Sequence, residues 1–334
     1  MQATSNHRLP RSLIFTIVII ILLIVASSMF PSGFLSWIWD RLNIFATVFL
    51  GIFVEAVPYL LLGTLASGLV EIFLDREQMS KWISHRPIPA AITGALMGMV
   101  FPVCECGVVP LTRRLFHKGL PLPAGIAFLL AAPVLNPIVI LSTAAAFGWG
   151  AMLFWRLSLS LLIAVVVGLV FSVEKEAGNV LNPVLHLSHE HHHEVSNTFA
   201  EKIRAAFVIT ADEFFEMGRY LIVGAILAAA LQTFIPQAAL LAIGNGPIFS
   251  VLVMLGLAIL PSICSTVDAF VALGFVSTFS FGSVLSFLVF GPMVDLKSII
   301  MYSQVFKRRA VIYLVLIPFA MSLFAGITFN YLFP

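Results

Sequence analysis

Between Ile44 and Leu74 the only charges are Glu55 and Glu71, and the only proline is Pro58. A bilayer core takes about 20 helical residues to cross, so this run fits a tilted or protruding transmembrane helix. Comparable apolar segments recur at Leu13 to Phe30, Ile88 to Thr112, Pro121 to Phe147, Ala151 to Val173, Ala205 to Ile235, Ile248 to Phe275, Ser283 to Val305 and Val311 to Leu332. Charged residues make up 10% of the chain, against about 25% in soluble domains. The chain therefore reads as an all-α polytopic membrane protein whose first partner is the lipid bilayer. A net charge of +2 gives no ground for a nucleic-acid partner, and none is expected. Three cysteines cannot all pair, and none lies in a polar loop, so no disulfide framework is expected.

Several segments break the rules of a membrane helix. Phe101 to Lys118 reads FPVCECGVVPLTRRLFHK and holds Pro102, Cys104, Glu105, Cys106, Gly107 and Pro110. Irregular backbone at membrane depth is tolerated where protein buries it or where it lines a cavity. Pro121 to Phe147 is broken by Pro133, Asn136 and Pro137; Ile248 to Phe275 by Pro261, Cys264 and Asp268; Ser283 to Val305 by Pro292, Asp295 and Lys297. Leu13 to Phe30 exceeds the apolar core of a signal peptide, about 7–15 residues, and reads as a retained extra helix.

The irregularities recur in register. FVEAVPYLLLG (53–63) matches FFEMGRYLIVG (214–224), pairing Glu55 with Glu216 and Gly63 with Gly224. FPVCEC (101–106) matches LPSICS (260–265), and Phe128, Leu129, Pro133 and Asn136 match Phe287, Leu288, Pro292 and Asp295. This predicts an N-terminal tail and extra helix (1–43), a first repeat (44–173), a linker (174–204) and a second repeat (205–334). Cytoplasmic loops collect Lys and Arg. If every apolar segment spans, Arg113, Arg114, Lys118, Lys175, Lys202 and Arg204 fall outside and the bias nearly vanishes. If 88–112 and 248–275 instead enter and leave on one side, these residues and Arg8, Arg11, Arg76, Lys81, Arg86, Lys307, Arg308 and Arg309 fall inside. Each half then has three crossings plus one broken, re-entrant hairpin, and an odd number of crossings inverts the second half.

Inverted repeats with broken elements at the midplane are a plan of secondary transporters. Such a plan sets Cys104 and Cys106 opposite Cys264, with Glu105, Asn136 and Asp295 nearby, as the substrate-binding candidates. Thiolates are soft ligands and favour thiophilic species, trivalent arsenic among them; the competing reading of a lone cysteine is packing as a small hydrophobe. Ionisable groups inside a membrane are costly and mark pathways. Glu55, Glu216 and Asp268 are the ion-coupling candidates. Glu216 has Arg219 three residues on, the same helical face, and can be self-neutralised; Glu55 has Pro58 there and no local partner. The linker carries HLSHEHHHE, with His186, His189, His191, His192 and His193. Imidazoles suit Zn, Cu and Ni, so a metal-capturing cytoplasmic loop and a plain polar linker both stay open. No phosphate-binding glycine loop, serine triad or zinc-protease helix is present, so no enzyme is expected and no cofactor is assigned.

FPVCECGVVPLTRRL (101–115), KGLPLPAGIAFLLAAPVLNPI (118–138) and GPMVDLK (291–297) make this chain similar to the bacterial ArsP-like (YraQ-like) predicted permeases over roughly residues 44–332. The resemblance implies a multi-pass inner-membrane permease. Some members export trivalent organoarsenicals using membrane cysteines, which maps onto Cys104 and Cys106. The expected function is proton-coupled, alternating-access export of a small inorganic or organometalloid substrate. Transport of a divalent metal or small sulfur compound, a non-transporting metal-sensing subunit, and an accessory membrane or metal-binding partner stay open. The topology is checked by scanning accessibility: a Lys118→Cys variant should label from the cytoplasmic face and not from outside.

Overall fold

The computed structural model describes residues 34–74, 84, 86–101, 103–174, 177–182, 199–234 and 246–332. The expected helix at Leu13 to Phe30, the His-rich loop and most of the 75–86 link lie outside the described residues. The chain divides into two units, one ending at Thr47 and one beginning at Val48. In the first, the Arg41 guanidinium lies over the Trp37 ring, 5.6 Å from its centroid. All that follows concerns the second.

The described elements are helical: α1 (Phe34–Phe73), α2 (Pro87–Met97), α3 (Glu105–His117), α4 (Leu122–Leu135), α5 (Pro137–Phe147), α6 (Ala151–Phe171), the short α7 (Ala177–Val180), α8 (Phe199–Phe234), α9 (Phe249–Ile259), α10 (Asp268–Leu273), α11 (Phe281–Phe290), α12 (Leu296–Val305) and α13 (Arg308–Leu332). Five stretches are long and apolar enough to cross a membrane: Ser36–Phe73, Leu122–Phe147, Ala151–Phe171, Phe199–Phe234 and Arg308–Leu332. The protein is an all-α polytopic membrane protein. At 1.5 Å per residue, α2, with 11 residues, covers about half of a hydrocarbon core roughly 30 Å thick.

The breaks have local causes. Phe101 precedes a proline, which disfavours helical backbone there, and Cys104 then caps α3 in extended conformation. Between α9 and α10 the chain turns through Pro261 and Ser262, the latter at φ 48°. Asn136 and Asp295, matched in the sequence, do the same job. Asn136 Oδ1 accepts from the Ile138 amide at 2.9 Å to start α5. Asp295 Oδ1 accepts from the Ser298 amide at 2.7 Å to start α12, closed as a capping box by Ser298 Oγ.

The packing follows the same duplicated order. The nearly wholly buried α4 packs against α2 and α6, as α11 packs against α9 and α13. The second halves of the broken elements cross over: α3 packs on α12, and α10 packs on α5. Apolar burial drives no association between helices already in lipid, so small residues and polar contacts hold them together. A Cβ on Gly94 would strike the Ala124 backbone, and one on Gly98 the Ala132 Cα. Between α9, α11 and α13, Asn330 Nδ2 donates to Ser283 Oγ at 2.9 Å and to the Pro247 carbonyl at 2.9 Å, while Ser280 Oγ donates to Asn330 Oδ1 at 2.7 Å.

Gly94→Ala should lower stability by about 1–3 kcal/mol, the usual cost of overpacking. Gly218→Ala, where an added Cβ meets nothing within 4 Å, should not. Thermal unfolding of the purified chain in detergent reads the difference.

Candidate functional site at the junction of two broken helices

Two helix breaks, one after Met97 and one after Ile259, precede α3 and α10. The Cys104 carbonyl accepts from the Val108 amide at 2.9 Å as α3 begins. The Cys264 carbonyl accepts from the Asp268 amide at 3.1 Å as α10 begins. Each cysteine thus sits at the mouth of the second half of its element. Cys104, Cys106 and Cys264 are all buried free thiols. Glu105, flanked by Cys104 and Cys106, accepts a hydrogen bond from Ser265, the residue after Cys264, at 3.3 Å, so the three cysteines border one contact between the breaks. Thr266 Oγ1 donates to Cys264 Sγ at 3.5 Å.

Glu105, the first residue of α3, is 2% exposed. Its Oε1 stands 3.7 Å from Lys297 Nζ, and its Oε2 accepts from Ser265 Oγ at 3.3 Å. Lys297 Nζ donates to the Ser262 carbonyl at 2.7 Å and stands 3.5 Å from Asp295 Oδ2. Asn136 ties the other side down: its Nδ2 donates to the Val103 carbonyl at 3.3 Å. The six residues read from the sequence as substrate-binding candidates therefore lie around the two breaks.

A second buried ion pair answers the first. Asp268, the first residue of α10, accepts from Arg156 NH1 at 3.1 Å and NH2 at 2.6 Å, and NH1 also donates to Thr143 Oγ1 at 2.8 Å. The acid following the first break pairs with a cation of the second half, and the acid following the second break pairs with a cation of the first half.

Of the ion-coupling candidates, Asp268 is engaged in this bidentate pair. For Glu216 the expected local pairing with Arg219 is corrected: its partner is Arg113 NH1 on α3 at 2.9 Å, while Arg219 Nε donates to the Phe215 carbonyl at 3.4 Å. Helical spacing set Arg219 on the right face, but a cation from another helix reaches the carboxylate. Glu55 Oε1 is buried with no hydrogen-bond partner among the described residues. Glu216 belongs to a wider cluster in which α3 is tied to α1 and α8. Arg114 lies 3.6 Å from both Glu71 and Glu213, and Lys118 lies 3.3 Å from Glu71 Oε1. Behind it, Gly63 and Gly107 let α1 and α3 approach backbone to backbone.

Lys297, Arg156, Ser262 and Ser265 were not singled out from the sequence as parts of the junction. The first two carried a usable signal, since a basic residue inside an apolar run needs an acid within reach. The two serines carried none. Among the described residues, no group of three or more His, Cys, Asp or Glu is placed to hold a metal ion. The five linker histidines lie outside the described residues.

Residues 41–331 match the family ArsP_1, predicted permease. The UPF0718 protein YcgR of Bacillus subtilis is 44% identical over 271 residues, 80% of this chain and 91% of that protein. A putative two-component membrane permease complex subunit of Streptococcus mutans is 35% identical over 269 residues, 79% of this chain and 88% of that protein. The UPF0718 protein YraQ of Escherichia coli is 21% identical over 89 residues, 27% of this chain and 26% of that protein. No solved structure matches.

Removing one member of a buried ion pair strands the other charge and costs about 3–5 kcal/mol. Arg156→Met should destabilise the chain by that order, and adding Asp268→Asn should recover part of the loss. Paired thermal unfolding of the single and double variants checks this.

Proposed function

Since the chain belongs to the ArsP_1 family of predicted permeases, we propose that it is a bacterial inner-membrane permease exporting a thiophilic trivalent metalloid by proton-coupled alternating access. The observation that carries this reading is that three buried free thiols flank one contact between the two helix breaks, the Ser265–Glu105 hydrogen bond. Residues 44–173 and 205–334 act as two inverted halves. Their broken elements meet across the junction, and each buried ion pair links one half to the other.

Thiol chemistry suits a cargo crossing a low-dielectric core. When a trivalent metalloid hydroxide meets a thiol, a sulfur–metalloid bond forms and a metalloid–oxygen bond breaks. The thiol proton leaves with the hydroxide as water, so no net charge enters the membrane. Cys104 and Cys106 hold one side of the cargo and Cys264 the other. Opening the junction towards one face parts them and releases it.

The cluster of Arg113, Arg114 and Lys118 with Glu71, Glu213 and Glu216 closes the side on which α3 ends. Glu55, with a buried oxygen lacking a hydrogen-bond partner, is the proton carrier in this reading. The relative in Streptococcus mutans is named as a subunit of a two-component complex, and we infer that this chain also works beside a second component.

An arsenical-sensitive bacterial host expressing the wild type should tolerate trivalent arsenicals and hold less cellular arsenic. Cys104→Ser should lose both effects. Equal tolerance and arsenic content in the two strains contradicts the thiol site. Glu55→Gln should weaken Cys104-dependent export and flatten its dependence on external pH; an unchanged pH profile removes Glu55 as carrier.

A further inference from the structure

Lys297 carries a charge at the centre of the junction, yet the thiol chemistry above gives it no part. It is fully buried at the start of α12. Its ammonium faces the Ser262 carbonyl at 2.7 Å, Asp295 Oδ2 at 3.5 Å and Glu105 Oε1 at 3.7 Å. One carbonyl and two carboxylates from three separate segments make an anionic oxygen pocket. Here the chain's own amine fills it.

Two further observations show that the amine is held there. Ser262 is the described non-glycine residue with positive φ, at 48°, a conformation that persists only where its surroundings enforce it. The strained residue is the one whose carbonyl faces Nζ. A Cβ on Gly224 would come 3.0 Å from the Lys297 Cα and 3.4 Å from its Cβ. Glycine lets α8 close against the lysine stem. Cys106 is the residue after Glu105 and Cys264 lies two residues beyond Ser262, so both thiols border the ammonium's partners.

We infer that Lys297 is the specificity-determining residue of the junction: its tethered ammonium stands where a free cation would bind, so the site admits neutral thiophilic species and rejects divalent metal ions. This rests on the thiol site proposed above and names which cargo that site takes. A divalent ion at the thiols would bring a second cation to a pocket whose two carboxylates already hold the ammonium, with little water to screen the charges. It would also have to take both carboxylates from the amine. A neutral metalloid hydroxide does neither, because it exchanges water for sulfur. With Lys297 in place these groups are not arranged as a metal site; without the ammonium, the two carboxylates and the neighbouring thiols lose their counter-charge and are free to take a thiophilic divalent cation.

The test is equilibrium dialysis of the purified full-length chain against Cd²⁺ and, separately, phenylarsine oxide. His186, His189, His191, His192 and His193 are changed to Ala throughout, so that the linker does not bind cadmium. The chain with Lys297 should bind phenylarsine oxide in a Cys104-dependent way and show weak Cd²⁺ binding, as should Lys297→Arg. Lys297→Gln should bind Cd²⁺ at least tenfold more tightly, and adding Glu105→Gln should remove the gain. Lys297→Met provides a second neutral variant, and gel filtration selects the folded ones. Cd²⁺ binding to the Lys297 chain as tight as to Lys297→Gln overturns the inference and leaves the thiol site standing. Failure of the Lys297 chain to bind phenylarsine oxide overturns the thiol site and the inference with it.

Discussion

A charge inside a bilayer must find a counter-charge or water, and this chain buries two ion pairs whose acids open α3 and α10. Glu105 with Lys297 and Asp268 with Arg156 are each nearly inaccessible, and each pair joins the first half of the chain to the second. The desolvation cost of such a pair is offset only when further hydrogen bonds complete it. Ser265, Ser262 and Thr143 supply them. The breaks are thus fixed to one another by interactions that neither half can complete alone. That mutual dependence places the cysteines at the openings of α3 and α10 together.

Close backbone approach makes the arrangement possible. Gly63 against Gly107 lets α1 reach α3, and Gly224 against Lys297 lets α8 reach α12. These two glycines occupy equivalent places in the matched sequence segments. Both bring a long apolar helix against a short element that lines the junction. A membrane protein cannot rely on apolar burial to pull helices together, so contacts of this kind and hydrogen bonds between helices do that work.

Much of the architecture was legible because membrane constraints are strict. Prolines, asparagine and acids inside apolar runs had few explanations available, and the breaks fell where Pro102, Asn136, Pro261 and Asp295 marked them. Asn136 and Asp295, matched by register, proved to be equivalent helix caps. Partner choice was less legible. Local spacing assigned Arg219 to Glu216, whereas Arg113 from another helix takes that place, because spacing along one helix says nothing about what a neighbour brings. Ser262 and its positive φ follow from tertiary strain and leave no mark in composition or period. Lys297 was visible as a break in an apolar run, but its role needed the positions of Glu105 and Asp295 around it.

The account turns on the thiols of the two breaks being neighbours. The most direct measurement is cross-linking of the wild-type chain in native membranes with a short thiol-specific bifunctional reagent, followed by peptide mass spectrometry. The account predicts a link between Cys264 and Cys104 or Cys106 within one chain. Links confined to Cys104 and Cys106, with Cys264 modified only singly, would contradict it.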